Sequence, residues 1–255
     1  MIAGPVRFCR YAYAPNALGY CGPDDNGALL EYGAREVVDG GLVQLARAFE
    51  GAWPYLSLIA QANGIADPLD GRVVAAYWVG NSLLDNVSPQ LLRRFLETTF
   101  RPRMGSRHWS SMSNEPLQAG SAHHNHHVFV VYPWVGMLRL GRSIEPLRVL
   151  ERCRIRWGEV VDVTSDRALV RSRPLVFDGT RLRLGPPRVE DALVAEGGIG
   201  FVADPKPGDR VSLHWDWVCE RLSAGELGVL RRASASALME ANRILRGSPA
   251  GSVLD

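Results

Sequence analysis

The chain has 255 residues, is 46% hydrophobic and carries a formal net charge of +2 at pH 7. That length and apolar content suit one large core or two modest ones, and the near-neutral balance excludes a general affinity for nucleic acid or an anionic membrane. Lys206 is the one lysine, so the basic side chains are almost all arginine, a bias that favours planar ion pairs. No stretch approaches the roughly 18 consecutive apolar residues of a spanning helix. The opening "MIAGPVRFCRYAY" lacks the apolar run and cleavage site of a signal peptide. The 4 cysteines include no CxxC pair and do not make a disulfide framework. The expectation is a cytoplasmic protein with reduced thiols.

In chain order, "RYAYAPNALGYCGPDDNG" (10–27) reads as an ordered loop dense in Tyr, Asn, Gly and Pro. From about 24 to 100 the apolar period is helical. "GGLVQLARAFEGAWPYLSLIAQANG" is interrupted by Pro54 and stops at Asn63-Gly64, and "DGRVVAAYWVGNSLLDNV" has the same period. "SPQLLRRFLETTF" opens with Ser88 as an N-cap and Pro89 at the first helical position. Residues 101–121 read as a long loop. "HHNHHVFVVYPWVGMLRL" is a helix or a buried strand, which periodicity does not decide, and "GRSIEPLRVL" reads as a connector.

After about 150 the period becomes two. "CRIRWGEVVDV", "RALVRSRPLVF", "RLRLGPPRVEDALV" and "DRVSLHWDWV" are short alternating runs separated by Gly, Pro and Asp, the pattern of a small antiparallel barrel. The last run holds an S-x-x-E capping box, Ser223 to Glu226, ahead of a helix ending near Gly247. The expected class is α+β: a mainly helical N-terminal domain over 1–148, then a small OB-like β-barrel with a C-terminal helix over 149–255.

Two groups of residues carry chemistry. His123, His124, His126 and His127 are spaced to share a helix face, a spacing that suits zinc, nickel or iron. There is no H-E-x-x-H glutamate, so further ligands come from elsewhere, with Cys21, Cys9, His108 and Asp24 as candidates. The bland alternative is a polar loop before an apolar element. Cys21 is either a thiolate at a helix N-terminus or part of a packed turn. Cys153, at the expected entry of a strand, is either a buried filler or a functional thiolate, and Arg152, Arg154 and Arg156 beside it would favour the thiolate. His214 is either a core histidine or a ligand, with Asp216 available to orient it. Trp157, Trp215 and Trp217 are core, or a partner surface on the barrel.

The second half resembles the HypC (HupF) chaperones of [NiFe]-hydrogenase maturation. That family begins with a Cys-x-x-Ile-x-Gly-x-Val type pattern; Cys153, Gly158 and Val160-Val161 keep its spacing, with Ile155 as a nearby aliphatic. "PKPGDRVSLHWDWVCERLSAGEL" supplies its Pro-Gly-Asp-x-Val-x-x-His strand and helix start through Pro207, Gly208, Asp209, Val211, His214, Leu222 and Glu226. The match spans roughly 152–240. The resemblance implies a HypC-like barrel in which Cys153 and His214 contact an iron fragment bearing cyanide and carbonyl ligands. It also implies a HypD-like maturation protein or a hydrogenase large subunit as partner, and no enzymatic turnover. Here the cysteine is internal instead of terminal, Trp157 stands where the family has proline, and the barrel is lengthened by "FDGTRLRLGPPRVEDALVAEGGIG". The alternative expectation is a metal-dependent enzyme built on His123, His124, His127 and Cys21, holding zinc or nickel. A generic binding scaffold is the third.

Overall fold

The computed structural model describes residues 2–24, 27–104, 109 and 120–246. Helix α1, Gly4–Ala17, occupies part of the segment expected to be a loop. It is buried along almost its whole surface, from Val6 through Asn16, and a helix covered on all sides shows no apolar stripe. Its two buried arginines have partners: Arg7 Nε donates to Glu220 (3.0 Å) and Arg10 Nε to the Gly33 carbonyl (3.0 Å).

Five more helices follow: α2 (Gly27–Arg35), α3 (Gly40–Arg47), α4 (Trp53–Ala62), α5 (Gly71–Trp78) and α6 (Pro89–Thr99). Their starts are chemically marked. Asp39 caps α3 through the Leu42 N–H, Asp70 caps α5 through Arg72 N–H, and Ser88 Oγ accepts from Leu91 N–H as expected. Pro54 lies in the first turn of α4, where its missing N–H removes nothing, so it begins a helix where an interruption was expected.

The His-rich run resolves as helical. A single turn, α7 (His124–His126), passes directly into a π-helical turn, His127–Val131. Then come α8 (Trp134–Arg139) and α9 (Ile144–Cys153). The expected connector is therefore part of a helix, and residue 148, the expected domain boundary, lies inside it. Cys153 is the last residue of α9 and not the first of a strand.

Nine strands follow: β1 (Arg156–Val163), β2 (Arg167–Ser172), β3 (Leu175–Phe177), β4 (Leu182–Leu184), β5 (Arg188–Leu193), β6 (Ala195–Glu196), β7 (Ile199–Gly200), β8 (Arg210–His214) and β9 (Trp217–Arg221). Five of them form one mixed sheet, order β1-β2-β5-β9-β8, whose ends meet. All its pairings are antiparallel except β5 with β9, parallel at Leu193 and Trp217. Gly158 is needed where β1 pairs with β2: a Cβ there would sit 2.3 Å from Val170 Cγ1 and 2.9 Å from the Arg171 carbonyl oxygen. The capping box holds, Ser223 Oγ accepting from Glu226 N–H (3.2 Å) and Glu226 Oε2 from Ser223 N–H (2.9 Å), and starts α10 (Ala224–Arg246).

The sheet encloses a small cluster of its own, including Val160, Val170, Val211, Leu213 and Val218. The main hydrophobic cluster runs from α1 through α5 and α9 to Trp215, Trp217 and Leu230. One core therefore crosses the expected boundary. It also corrects the partner-surface expectation for two tryptophans. Trp215 and Trp217 are 2% and 5% exposed and face the chain's own N-terminal part. Trp217 meets Tyr13 edge-on at 4.9 Å and Trp215 packs on Tyr20 at 4.2 Å. Trp157 is half-buried beneath the Arg231 guanidinium. Among the described residues, no helix is long and apolar enough to cross a membrane.

Candidate metal centre

Three side chains from three parts of the chain converge where the helices meet the sheet: His124 of α7, Cys153 at the end of α9 and His214 at the end of β8. One ligating atom from each lies within 4.8 Å of the other two. The triad joins both residues of the HypC-like pair to one residue of the histidine cluster.

Local hydrogen bonds explain the convergence. Asn125, next to His124, acts as a backbone mimic: its Nδ2 donates to the Ile155 carbonyl (3.2 Å) and its Oδ1 accepts from Ile155 N–H (2.6 Å). The turn bearing His124 is thereby fixed to the residues just after Cys153. The hairpin between β8 and β9 is clamped to the same place. Trp215 N–H donates to the Arg152 carbonyl (2.7 Å), and Arg156 Nη2 donates to the Trp215 carbonyl (2.7 Å). Trp215 has φ +53°, a strained value for a bulky residue, and this tight turn lies directly after His214.

The tautomers follow from the acceptors. His214 Nδ1 can only donate to the Tyr11 carbonyl (2.6 Å), which leaves Nε2 as a bare lone pair; that atom is buried and has no hydrogen-bond partner. Orientation by a backbone carbonyl on the far nitrogen is the usual support of a ligating imidazole. His124 Nε2 donates to the Cys153 carbonyl (2.9 Å), so its Nδ1 accepts from the Tyr77 hydroxyl (3.2 Å). The Cys153 sulfur lies 3.9 Å from the same Nε2. For His124 to ligate, its proton must move to Nδ1, where the Tyr77 oxygen becomes its acceptor, and the bond to the carbonyl is given up. The Trp78 ring covers the pair, 4.6 Å from the His124 ring and 5.6 Å from that of His214.

Burial sets the charge states. It lowers His214 to about 4, against the pull of the Tyr11 carbonyl, and lowers His124 well below the usual imidazole range, with His214 adding to the effect. Both are neutral and able to ligate at pH 7. Burial pushes the Cys153 thiol well above its ordinary range. The flanking arginines do not activate it, contrary to expectation, because they are engaged with acids. Arg152 pairs with Asp216, Arg154 with Glu151 (2.9 Å) and Arg156 with Glu190 (2.9 Å). Asp216 is thus held by Arg152, and the Tyr11 carbonyl orients His214 in its place. A thiol of this kind ionises when a cation displaces its proton.

The second expected site is divided. His123 caps its own turn, Nδ1 accepting from Asn125 N–H (3.0 Å). His124 goes to the triad. His127 lines the same cavity as the triad without joining it, its Nδ1 against the Tyr55 hydroxyl (3.0 Å). Cys21 lies before α2 and not at a helix N-terminus, and burial pushes its thiol up to about 12. Cys9 is buried within α1 and Asp24 is exposed, both apart from the triad; His108 lies outside the described residues.

The triad opens on a cavity of about 130 Å³, walled by Trp78, Tyr132, Val149 and Trp215 and also lined by Cys21 and His127. Beyond it is an outer cleft of about 560 Å³, lined by Glu50, Phe100, Arg103, Met104 and Pro133 among others. The orienting groups Asn125, Tyr77, Tyr11 and Tyr55 were missed in the sequence. A buried Asn within a histidine run was the one available signal, and the tyrosines had none.

Residues 1–248 match the family described as "Family of unknown function (DUF6390)". The chain belongs to that family. No curated protein and no solved structure matches it.

Proposed function

We propose that this DUF6390 chain is a metal-handling accessory protein of [NiFe]-hydrogenase maturation that holds one iron centre on His124, Cys153 and His214. The observation that carries the reading is the convergence of these ligands with the His214 Nε2 lone pair buried and unpartnered. Two imidazoles and one thiolate suit iron, with the soft sulfur favouring an ion that carries strong-field ligands. Three protein ligands leave three positions of an octahedral ion open. The adjoining space of about 130 Å³ equals roughly four water molecules at ~30 Å³ each, room for small diatomic ligands. The iron fragment is cargo here, with a HypD-like protein or a hydrogenase large subunit as the partner. The HypC-like sequence pattern supports the same assignment. Burial makes the difference from that family's terminal cysteine: Cys153 is 9% exposed, so transfer proceeds through the cavity and not across an open surface.

A second reading is a metal-dependent enzyme with the same triad. The outer cleft favours it, since about 560 Å³ is within the usual range for a small-molecule site. Anaerobic purification followed by iron analysis and infrared spectroscopy separates the two. Bands in the cyanide and carbonyl stretching region, lost in Cys153→Ala, are expected for the maturation reading. Tightly held metal with no such bands, even after co-production with hydrogenase-maturation proteins, would overturn it in favour of the enzyme.

A further inference from the structure

The triad is shut away, and metal must reach it. The inner cavity and the outer cleft share Tyr20, Cys21, Gly51, His127 and Tyr132 as walls. Of these, only His127 and Cys21 carry metal-ligating atoms other than phenol oxygens. His127 is 2% exposed; its Nδ1 is held by the Tyr55 hydroxyl at 3.0 Å, and its Nε2 is buried with no hydrogen-bond partner. The ring is fixed on its other faces by Phe100 at 5.1 Å and Tyr132 at 4.4 Å. An imidazole held by its far nitrogen and bare at the near one is a ligand arrangement, and here it stands between solvent-side and triad-side spaces. The wall facing it is cut back: a Cβ on Gly51 would lie 3.9 Å from Nε2 and 3.6 Å from the Tyr132 hydroxyl oxygen.

We infer that His127 is a relay ligand, a transient stop for a divalent transition-metal ion passing from the outer cleft to His124, Cys153 and His214. In this role Nδ1–H donates to Tyr55 Oη and Nε2 takes the ion. Cys21, on the same shared wall, offers a sulfur to the same passage. On arrival the ion displaces the thiol proton of Cys153 to solvent, and the His124 proton passes from Nε2 to Nδ1. No electron is transferred. The inference rests on the metal reading of the triad.

The test uses the full chain and Co(II) alone, followed by stopped flow at the thiolate-to-cobalt charge-transfer band and by equilibrium titration. Wild type should load, and Cys153→Ala should lose the band. His127→Gln should load about tenfold or more slowly, the scale on which loss of a metal-supporting group acts, while its final affinity stays within about twofold of wild type. Gly51→Val leaves His127 in place and fills the space beside it; it should slow loading in the same way. Loading of both variants at the wild-type rate would overturn the relay while leaving the triad intact. Equal loss of rate and affinity in His127→Gln would make His127 a resident ligand, and the relay would fall. If wild type gives no sulfur-dependent band, the metal reading itself fails and the relay with it.

Discussion

Acidification should destabilise this protein between pH 6.5 and 5.5, before its carboxylates titrate. His123, His127 and His214 are fully buried, and burial lowers them to about 4, about 3 and about 4 from an ordinary value of 6.5. His124 is lowered further in the same direction. A histidine with a depressed folded-state pKa is neutral in the fold while its unfolded counterpart takes a proton. Stability is therefore complete above 6.5 and is lost as pH falls towards the folded value. At pH 5.5 each of the three contributes a loss of about 1.4 kcal/mol, so together about 4 kcal/mol relative to pH 8. Against a typical total of about 5–15 kcal/mol that is large. Glu220 works the other way, since burial raises its carboxyl despite Arg7, and offsets part of the loss. The depressed carboxylates, Asp39, Asp70, Glu145, Asp178, Glu190 and Asp209, act only at lower pH. Urea unfolding at half-unit steps from pH 8 to 5 reads the slope directly. A midpoint that does not move between pH 7.5 and 5.5 would refute the claim that these imidazoles are buried and neutral.

Tyr77→Phe removes the acceptor that the metal-bound tautomer of His124 needs, and should weaken Co(II) binding by about 10- to 100-fold with little change in circular dichroism. Gly158→Ala forces a methyl against Val170 and the Arg171 carbonyl, and should cost about 1–3 kcal/mol in urea unfolding without altering the metal affinity of the protein that remains folded. Ser223→Ala breaks the capping box of α10 at an exposed position and should cost about 1 kcal/mol, again leaving metal binding unchanged.

The parts of the fold that were legible in the sequence are those with one wet side. The caps at Ser88 and Ser223 and the alternating strands after 155 could be read because each pattern reports a boundary with water. Helix α1 could not, because its burial on nearly every side erases the stripe. The site was half legible. Cys153 and His214 stood out through the family-like spacing, and His124 through its cluster, but nothing in the sequence joined the two groups. The junction is made by Asn125 pairing with the backbone of Ile155 and by the strained turn at Trp215, contacts between residues 30 and more positions apart. Trp215 and Trp217 misled for the opposite reason. Aromatic residues on a strand look like a docking face, and their partners were Tyr13 of α1 and Tyr20 just beyond it in the same chain.

The central claim is that two imidazoles and one thiolate from distant segments hold a single ion. X-ray absorption on the cobalt-loaded full chain tests it most directly. The account predicts one sulfur at about 2.3 Å and two imidazole nitrogens at about 2.0–2.1 Å, by analogy with zinc distances, with the sulfur shell lost in Cys153→Ala and one nitrogen shell lost in His214→Ala. A spectrum with no sulfur shell, or one left unchanged by Cys153→Ala, would contradict it.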